Sequence, residues 1–181
     1  RQMCIRDSNY INQQLNFSEI GMMYSSSDPE IVVIDDFLTK DFLDDLRIFF
    51  RCANIFKYPY SRGYIGAFLG KGMANKALLE FSTELKKSLN KIFLNYHLSQ
   101  AWSFKYDAKR EGIGVHADDA RVNVNFWITD NSANMNSDNG GMIIWKKTLK
   151  MLSLEPQIVQ QILTMIYLIQ TKMVLLLARH G

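Results

Sequence analysis

The sequence contains little cysteine, and its two cysteines belong to no motif. Cys4 and Cys52 lie far apart in the chain of 181 residues, with no CxxC pair and no cluster of Cys and His around either. Disulfide-rich secreted domains and structural zinc sites both depend on such clusters. The sequence therefore predicts neither, and a reducing, cytoplasmic location is expected.

The chain also lacks any concentration of one charge. It carries 21 Lys and Arg against 18 Asp and Glu, a formal net charge of +3. Its basic residues form no run longer than the pairs Lys86-Lys87, Lys109-Arg110 and Lys146-Lys147. Nucleic-acid binding usually involves a concentrated basic patch with interleaved aromatic residues. The overall charge thus predicts no nucleic-acid partner.

Long uninterrupted apolar runs are absent as well. The longest apolar stretch, residues 158–178, is broken by Gln160, Gln170 and Lys172 among other polar residues, so it predicts no membrane span and no membrane partner. The first eight residues, RQMCIRDS, lack the apolar core of a signal peptide and look like translated vector sequence. We expect residues 1–29, a non-native leader and a polar segment, to precede the folded domain.

The remaining pattern indicates one α+β or mainly β domain over residues 30–148. Hydrophobic residues make up 48% of the chain, and its length suits a single core. Residues 57–72 are expected to be irregular because glycines and Pro59 interrupt them. Alternation and helical spacing predict the regular elements. These are strands over 31–34, 101–106, 112–116, 122–128 and 142–145, a helix capped by Thr39, and a helix over 75–96 with His97 at its end.

Residues 149–181 differ in composition from the rest of the chain. Glu155 is the one acidic residue after position 139, and no glycine lies between Gly141 and Gly181. We expect an atypical tail from a truncated or frame-disrupted reading frame. The apolar spacing allows a helix over residues 157–169.

The sharpest chemical feature is His116-Ala117-Asp118 at the end of a predicted strand. Residues two apart on a strand point to the same side, so the imidazole and the carboxylate can approach one metal ion together. They would supply two of the three ligands of a 2-His-1-carboxylate site for Fe(II). The alternative is a surface His paired with an Asp at a strand end.

The residues around this pair extend the motif. A tyrosine, Tyr106, lies ten residues before His116, the segment HADDARVNVNFWIT covers residues 116–129, and an Asn-rich loop leads to Gly140-Gly141. In this order of features the chain resembles the Fe(II)- and 2-oxoglutarate-dependent oxygenases of the prolyl-4-hydroxylase-like superfamily. The resemblance covers residues 30–147 and is most specific from 102 to 145.

The resemblance implies a double-stranded β-helix, a jelly-roll or cupin-like barrel with N-terminal supporting helices. It implies Fe(II) bound by His116 and Asp118, 2-oxoglutarate and O2 as cosubstrates, and hydroxylation of a C–H bond with release of succinate and CO2. Tyr106 would contact the 2-oxoglutarate. The substrate would be a small molecule or a protein side chain, whose contacts we expect on the loops 57–72 and 129–139.

Two amides follow the His-x-Asp motif on one strand. Asn123 and Asn125 share a face, opposite Val122 and Val124, and buried amides need partners that a polar ligand can supply. We therefore predict that Asn125 contacts the cosubstrate. The alternatives are that this face meets solvent, and that Tyr106 is an aromatic core residue.

The chain departs from the family's pattern beyond residue 145. His180 is the only later histidine and no basic residue follows it, whereas the family has a second metal-binding His followed by an Arg or Lys for 2-oxoglutarate. We expect His180 to be incidental. A non-catalytic jelly-roll binding module, or an inactive fragment, therefore remains an alternative, as does a zinc hydrolase using His116 and Asp118. The sequence does not set the oligomeric state.

Overall fold

The structure, a computed structural model, describes residues 9–106, 118, 120–130 and 132, with the backbone of residues 162–168 and 172–177. Four α-helices and a short 3₁₀ helix are present in this part. They are α1 (Phe17–Ser26), α2 (Lys40–Cys52), the 3₁₀ helix Leu69–Lys71, α3 (Lys76–Ser88) and α4 (Asn90–Phe93). The strands are β1 (Ile31–Asp35), β2 (Tyr58–Tyr60), β3 (Tyr64–Phe68), β4 (His97–Tyr106), β5 (Val122–Trp127), β6 (Ile162–Leu168) and β7 (Lys172–Leu177).

The described strands form one mixed sheet in the order β1-β7-β5-β6-β4-β3-β2. Strand β6 runs parallel to both of its neighbours, β4 and β5, and the other pairs are antiparallel. Strand β2 lies at one edge, where Pro59 is tolerated because an edge strand leaves some backbone groups unpaired. Strand β5 lies inside the sheet between β7 and β6, and all of its side chains are buried.

The helices pack on one face of this sheet. Helices α2 and α3 form because apolar residues recur along one side and because Thr39 and Asn75 cap their first turns, each accepting a backbone N–H. Phe81 of α3 meets Phe126 of β5 with ring centroids 5.3 Å apart. Phe37 lies 6.0 Å from the same ring. The core therefore lies between the helices and alternate residues of β5.

Several predicted elements are confirmed. Strand β1, helix α2 with its Thr39 cap, and the strands over 101–106 and 122–127 occur where the sequence pattern places them. The predicted strands over 112–116 and 142–145 lie outside the described residues. The double-stranded β-helix stays a prediction. No helix in the described part of the chain has the length and apolar character to cross a membrane.

Other expectations are wrong. Residues 9–29, expected to precede the fold, contain α1, whose Ile20 and Tyr24 are buried. Residues 57–72 form the hairpin β2–β3 instead of an irregular segment, with Gly63 at positive φ in its turn. The helix predicted over 75–96 breaks near Leu89, and residues 162–168, where a helix was allowed, form β6.

Candidate functional site

Asp118 lies just before β5 and is held by an amide of that strand. The Asn123 Nδ2 donates a hydrogen bond to Asp118 Oδ2 over 3.3 Å. A turn brings the two together, in which the Ala120 N–H donates to the Asp118 carbonyl over 2.9 Å. Asp118 is half-buried and Asn123 is buried. The carboxylate is thus oriented by a neighbouring donor and is partly exposed to solvent.

Strand β5 separates apolar from amide side chains. Val124 and Phe126 face the helices and belong to the core, so the alternating residues Asn123 and Asn125 lie on the opposite face. Asn125 is only 1% exposed, and its Oδ1 has no hydrogen-bond partner within the part of the chain that the structure describes. In the same part, the Oδ1 of Asn123 is also buried without a partner. The alternative that this face meets solvent is therefore wrong.

Tyr106 ends β4 on the same face of the sheet. Ala101 of β4 belongs to the core beneath the helices, so Tyr106, an odd number of residues later, points to the other side. Its ring centroid lies 5.6 Å from that of Tyr64. Burial, with a smaller contribution from Tyr64, raises the pKa of the Tyr106 phenol well above its usual value. The phenol stays protonated and can donate a hydrogen bond to an anion.

The structure brings only part of the predicted site together. His116 and His180 lie outside the described residues. His97, expected at a helix end, is the exposed first residue of β4. Within the described residues no group of three His, Cys, Asp or Glu could hold a metal ion. Asp118 is therefore the one predicted metal ligand that is described, and a carboxylate oxygen suits Fe(II).

Two contacts around β5 were not predicted. The sequence placed Asn123 on the same face as Asn125 but gave it no role. Its bond to Asp118 depends on the intervening turn, which alternation does not reveal. At the other end of the strand, the Arg47 Nε donates to the Ile128 carbonyl over 2.6 Å and ties α2 to β5. The half-burial of Arg47 is visible only in the structure, so no sequence pattern indicates that contact.

Comparisons of the chain with protein-family models, with curated proteins and with solved structures found no match. Any functional conclusion therefore depends on the residues themselves. The features that bear on it are a carboxylate oriented by an amide, two buried amide oxygens without partners among the described residues, and a half-buried phenol. All four groups belong to β4, β5 or the turn before β5.

Proposed function

We propose that the chain belongs to an Fe(II)- and 2-oxoglutarate-dependent oxygenase. The observation that carries the proposal is the Asn123–Asp118 hydrogen bond beside a buried, unpartnered Asn125 oxygen. A carboxylate that ligates a metal is commonly fixed by a hydrogen bond from a neighbouring side chain. A buried polar atom without a partner costs about 1–3 kcal/mol, and a ligand can repay that cost.

His116 and Asp118 would hold the iron. With O2 and 2-oxoglutarate, bound Fe(II) supplies the oxidation that converts a substrate C–H bond to C–OH, with release of succinate and CO2. Asn123 keeps one oxygen of Asp118 engaged, which limits rotation of the carboxylate. That restriction favours a single ligand geometry before the metal arrives.

Tyr106 and Asn125 are proposed to contact the cosubstrate. The protonated Tyr106 phenol can donate to a carboxylate oxygen of 2-oxoglutarate. The Asn125 carbonyl cannot do so, because it and a carboxylate are both acceptors. An amide turned by half a rotation has nearly the same shape and presents its NH2 instead. We therefore expect the Asn125 amide to turn when the anion binds.

The proposal extends to the fold. The described helices cover one face of the sheet, while the opposite face carries Asn123, Asn125 and Tyr106. Buried amides on this face are expected if a second sheet closes over it, as in a double-stranded β-helix. A cytoplasmic location fits the low cysteine content.

The test is anaerobic titration with Fe(II) and 2-oxoglutarate, recording the weak visible charge-transfer band of the chelated complex. We expect a band that is lost in His116→Ala and in Asp118→Ala. The controls are His97→Ala and Asp41→Ala, which change the same residue types at exposed positions and should keep the band. Absence of a band in the unaltered chain would reject the oxygenase and favour the non-catalytic binding module.

A further inference from the structure

Aromatic side chains cover the face of the hairpin β2–β3 and its neighbour β4. The antiparallel register places Tyr60 opposite Tyr64, and Tyr64 opposite Tyr106. Cross-strand partners lie on the same face, so the rings form one surface. We call this surface the aromatic platform, and it consists of Tyr58, Tyr60, Tyr64, Phe68, Phe104 and Tyr106.

Gly66 allows the rings of the aromatic platform to close over the middle strand. A Cβ atom at Gly66 would come within 2.9 Å of the Phe68 ring and 3.1 Å of the Phe104 ring. The two rings therefore occupy the space that a side chain would fill. Their centroids lie 6.1 Å apart in an edge-to-face arrangement, which is a favourable geometry for aromatic pairs.

Tyr60 is the outermost ring of the aromatic platform. It lies on the edge strand, is 40% exposed, and stacks on Tyr64 with centroids 4.4 Å apart and planes 11° from parallel. Most other ring pairs in the platform meet edge to face. A parallel stack whose outer ring is exposed can be extended by one more planar ring. The outer tyrosine is therefore positioned to receive a flat ligand.

The hairpin β2–β3 and the residues next to it carry charge of one sign. Residues 57–71 contain three Lys and Arg and no Asp or Glu. Lys57 and Arg62 flank β2 at exposed positions, and the Lys71 Nζ lies 4.4 Å from the centroid of the Tyr58 ring. The sequence KYPYSRGY over residues 57–64 interleaves cations and tyrosines. A ligand with planar rings and negative charge matches both properties.

From this combination we infer that the aromatic platform binds single-stranded nucleic acid, with a base stacked on Tyr60 and phosphates near Lys57 and Arg62. Proteins that bind single strands pair a positive surface with aromatic rings on which bases stack. A double strand hides its base faces, and an acidic peptide offers charge without the rings. The nearly balanced charge of the whole chain predicted no nucleic-acid partner, because that total does not show the local excess of Lys and Arg around the hairpin. Binding through Tyr60 at the sheet edge does not require iron, although the aromatic platform shares Tyr106 with the proposed cosubstrate site.

The test is fluorescence anisotropy of a labelled thymidine 12-mer with the iron-free full chain, titrated at several salt concentrations. Stacking is worth about 1–3 kcal/mol per base, so Tyr60→Ala should raise the Kd by about fivefold or more. Tyr60→Phe keeps the ring and should bind within about twofold of the unaltered chain. Arg62→Gln should reduce the slope of log K against log salt by about 0.7, as expected for one lost phosphate contact.

Two controls separate stacking from charge alone. Lys40→Gln removes a charge from an exposed position at the start of α2 and should leave the Kd and the salt slope unchanged. An abasic 12-mer keeps the phosphates without the bases and should bind about as weakly as the thymidine strand binds Tyr60→Ala. Equal affinity for the abasic and thymidine strands, an unchanged Kd in Tyr60→Ala, or no binding at low salt would each overturn the inference.

Discussion

The Asn123 side chain donates a hydrogen bond to the carboxylate of Asp118 across the turn that leads into β5. Asn123 is buried and its own oxygen has no partner among the described residues, so its amide acts through the hydrogen bond from Nδ2. That bond restricts rotation of the Asp118 carboxylate. Under the proposed function, a donor in this position matters for metal binding more than for folding, because the Asp118 side chain is only half-buried.

Replacing Asn123 by Ala should therefore weaken metal binding. Loss of a side chain that orients a metal ligand commonly lowers affinity by about 10–100-fold. We expect that loss for Fe(II), measured by anaerobic titration, with the charge-transfer band weakened in proportion. Asn54→Ala removes an exposed amide and serves as the control. Unchanged Fe(II) affinity in Asn123→Ala would show that Asp118 needs no such support.

Asn125 should show opposite effects on stability and on binding. Asn125→Leu removes a buried oxygen without a partner, so we expect the free energy of unfolding to stay equal or rise by about 1–3 kcal/mol. The same change should abolish the response to 2-oxoglutarate. Denaturant unfolding and the anaerobic titration measure the two effects separately.

Asn125→Asp is the matched variant for that prediction. It keeps the shape but places a charge at a position that is 1% exposed. Burying an unpaired charge is costly, so this variant should lose stability at neutral pH and recover part of it in acid, where the carboxyl is protonated. A large loss of stability in Asn125→Leu would mean that the amide serves the fold and not a ligand.

The sequence predicts those parts of the fold that depend on local periodicity. Phe42, Leu46 and Phe50 recur at helical spacing and are all buried in α2. The alternation of β5 separates Asn123 and Asn125 from the core residues, as the structure also has it. These patterns succeed because each element buries one side against the rest of the protein.

The missed elements depend on contacts between distant residues. The hairpin β2–β3 contains Pro59 and Gly66, which disfavour strands locally, but Pro59 lies at the sheet edge and Gly66 makes room for two rings. Helix α1 lies in a segment rich in Asn, Gln and Ser, and the burial of Ile20 and Tyr24 against the rest of the protein fixes its place. For the same reason, spacing predicted Asp118 as a site residue but did not reveal its bond to Asn123.

Glu84 anchors the segment before α1 to α3. Its carboxylate accepts the backbone N–H of Tyr10 at 3.0 Å and of Ile11 at 3.1 Å, together with the Gln13 side chain. Ile11 is fully buried. Hydrogen bonds to charged groups contribute about 1.5–3 kcal/mol, so Glu84→Ala should lower the free energy of unfolding by about that amount.

Denaturant unfolding checks this prediction, with Glu19→Ala as control. Glu19 is exposed in the first turn of α1, and its loss should cost less than about 1 kcal/mol because only the helix dipole is affected. Glu84→Gln keeps one acceptor oxygen and should fall between the two. Equal stabilities of the Glu84→Ala and Glu19→Ala variants would contradict the conclusion that Glu84 anchors the segment before α1.

Because of Tyr10, we expect the free energy of unfolding to fall at alkaline pH. Burial, then its hydrogen bond to Glu80 at 2.7 Å and the charges of Glu80 and Glu84, raise the pKa of Tyr10 from 10.0 to about 12. Below pH 10 the phenol is protonated in both the folded and the unfolded chain, and its contribution is complete. Between pH 10 and 12 the unfolded chain releases the proton first, so stability falls as pH rises. Tyr10→Phe should reduce the slope of unfolding free energy against pH from pH 9 to 11.5. Some slope will remain in Tyr10→Phe, because burial also raises the pKa of Tyr24 and Tyr106. A slope identical to that of the unaltered chain would mean that Tyr10 ionises equally easily in the folded and unfolded states.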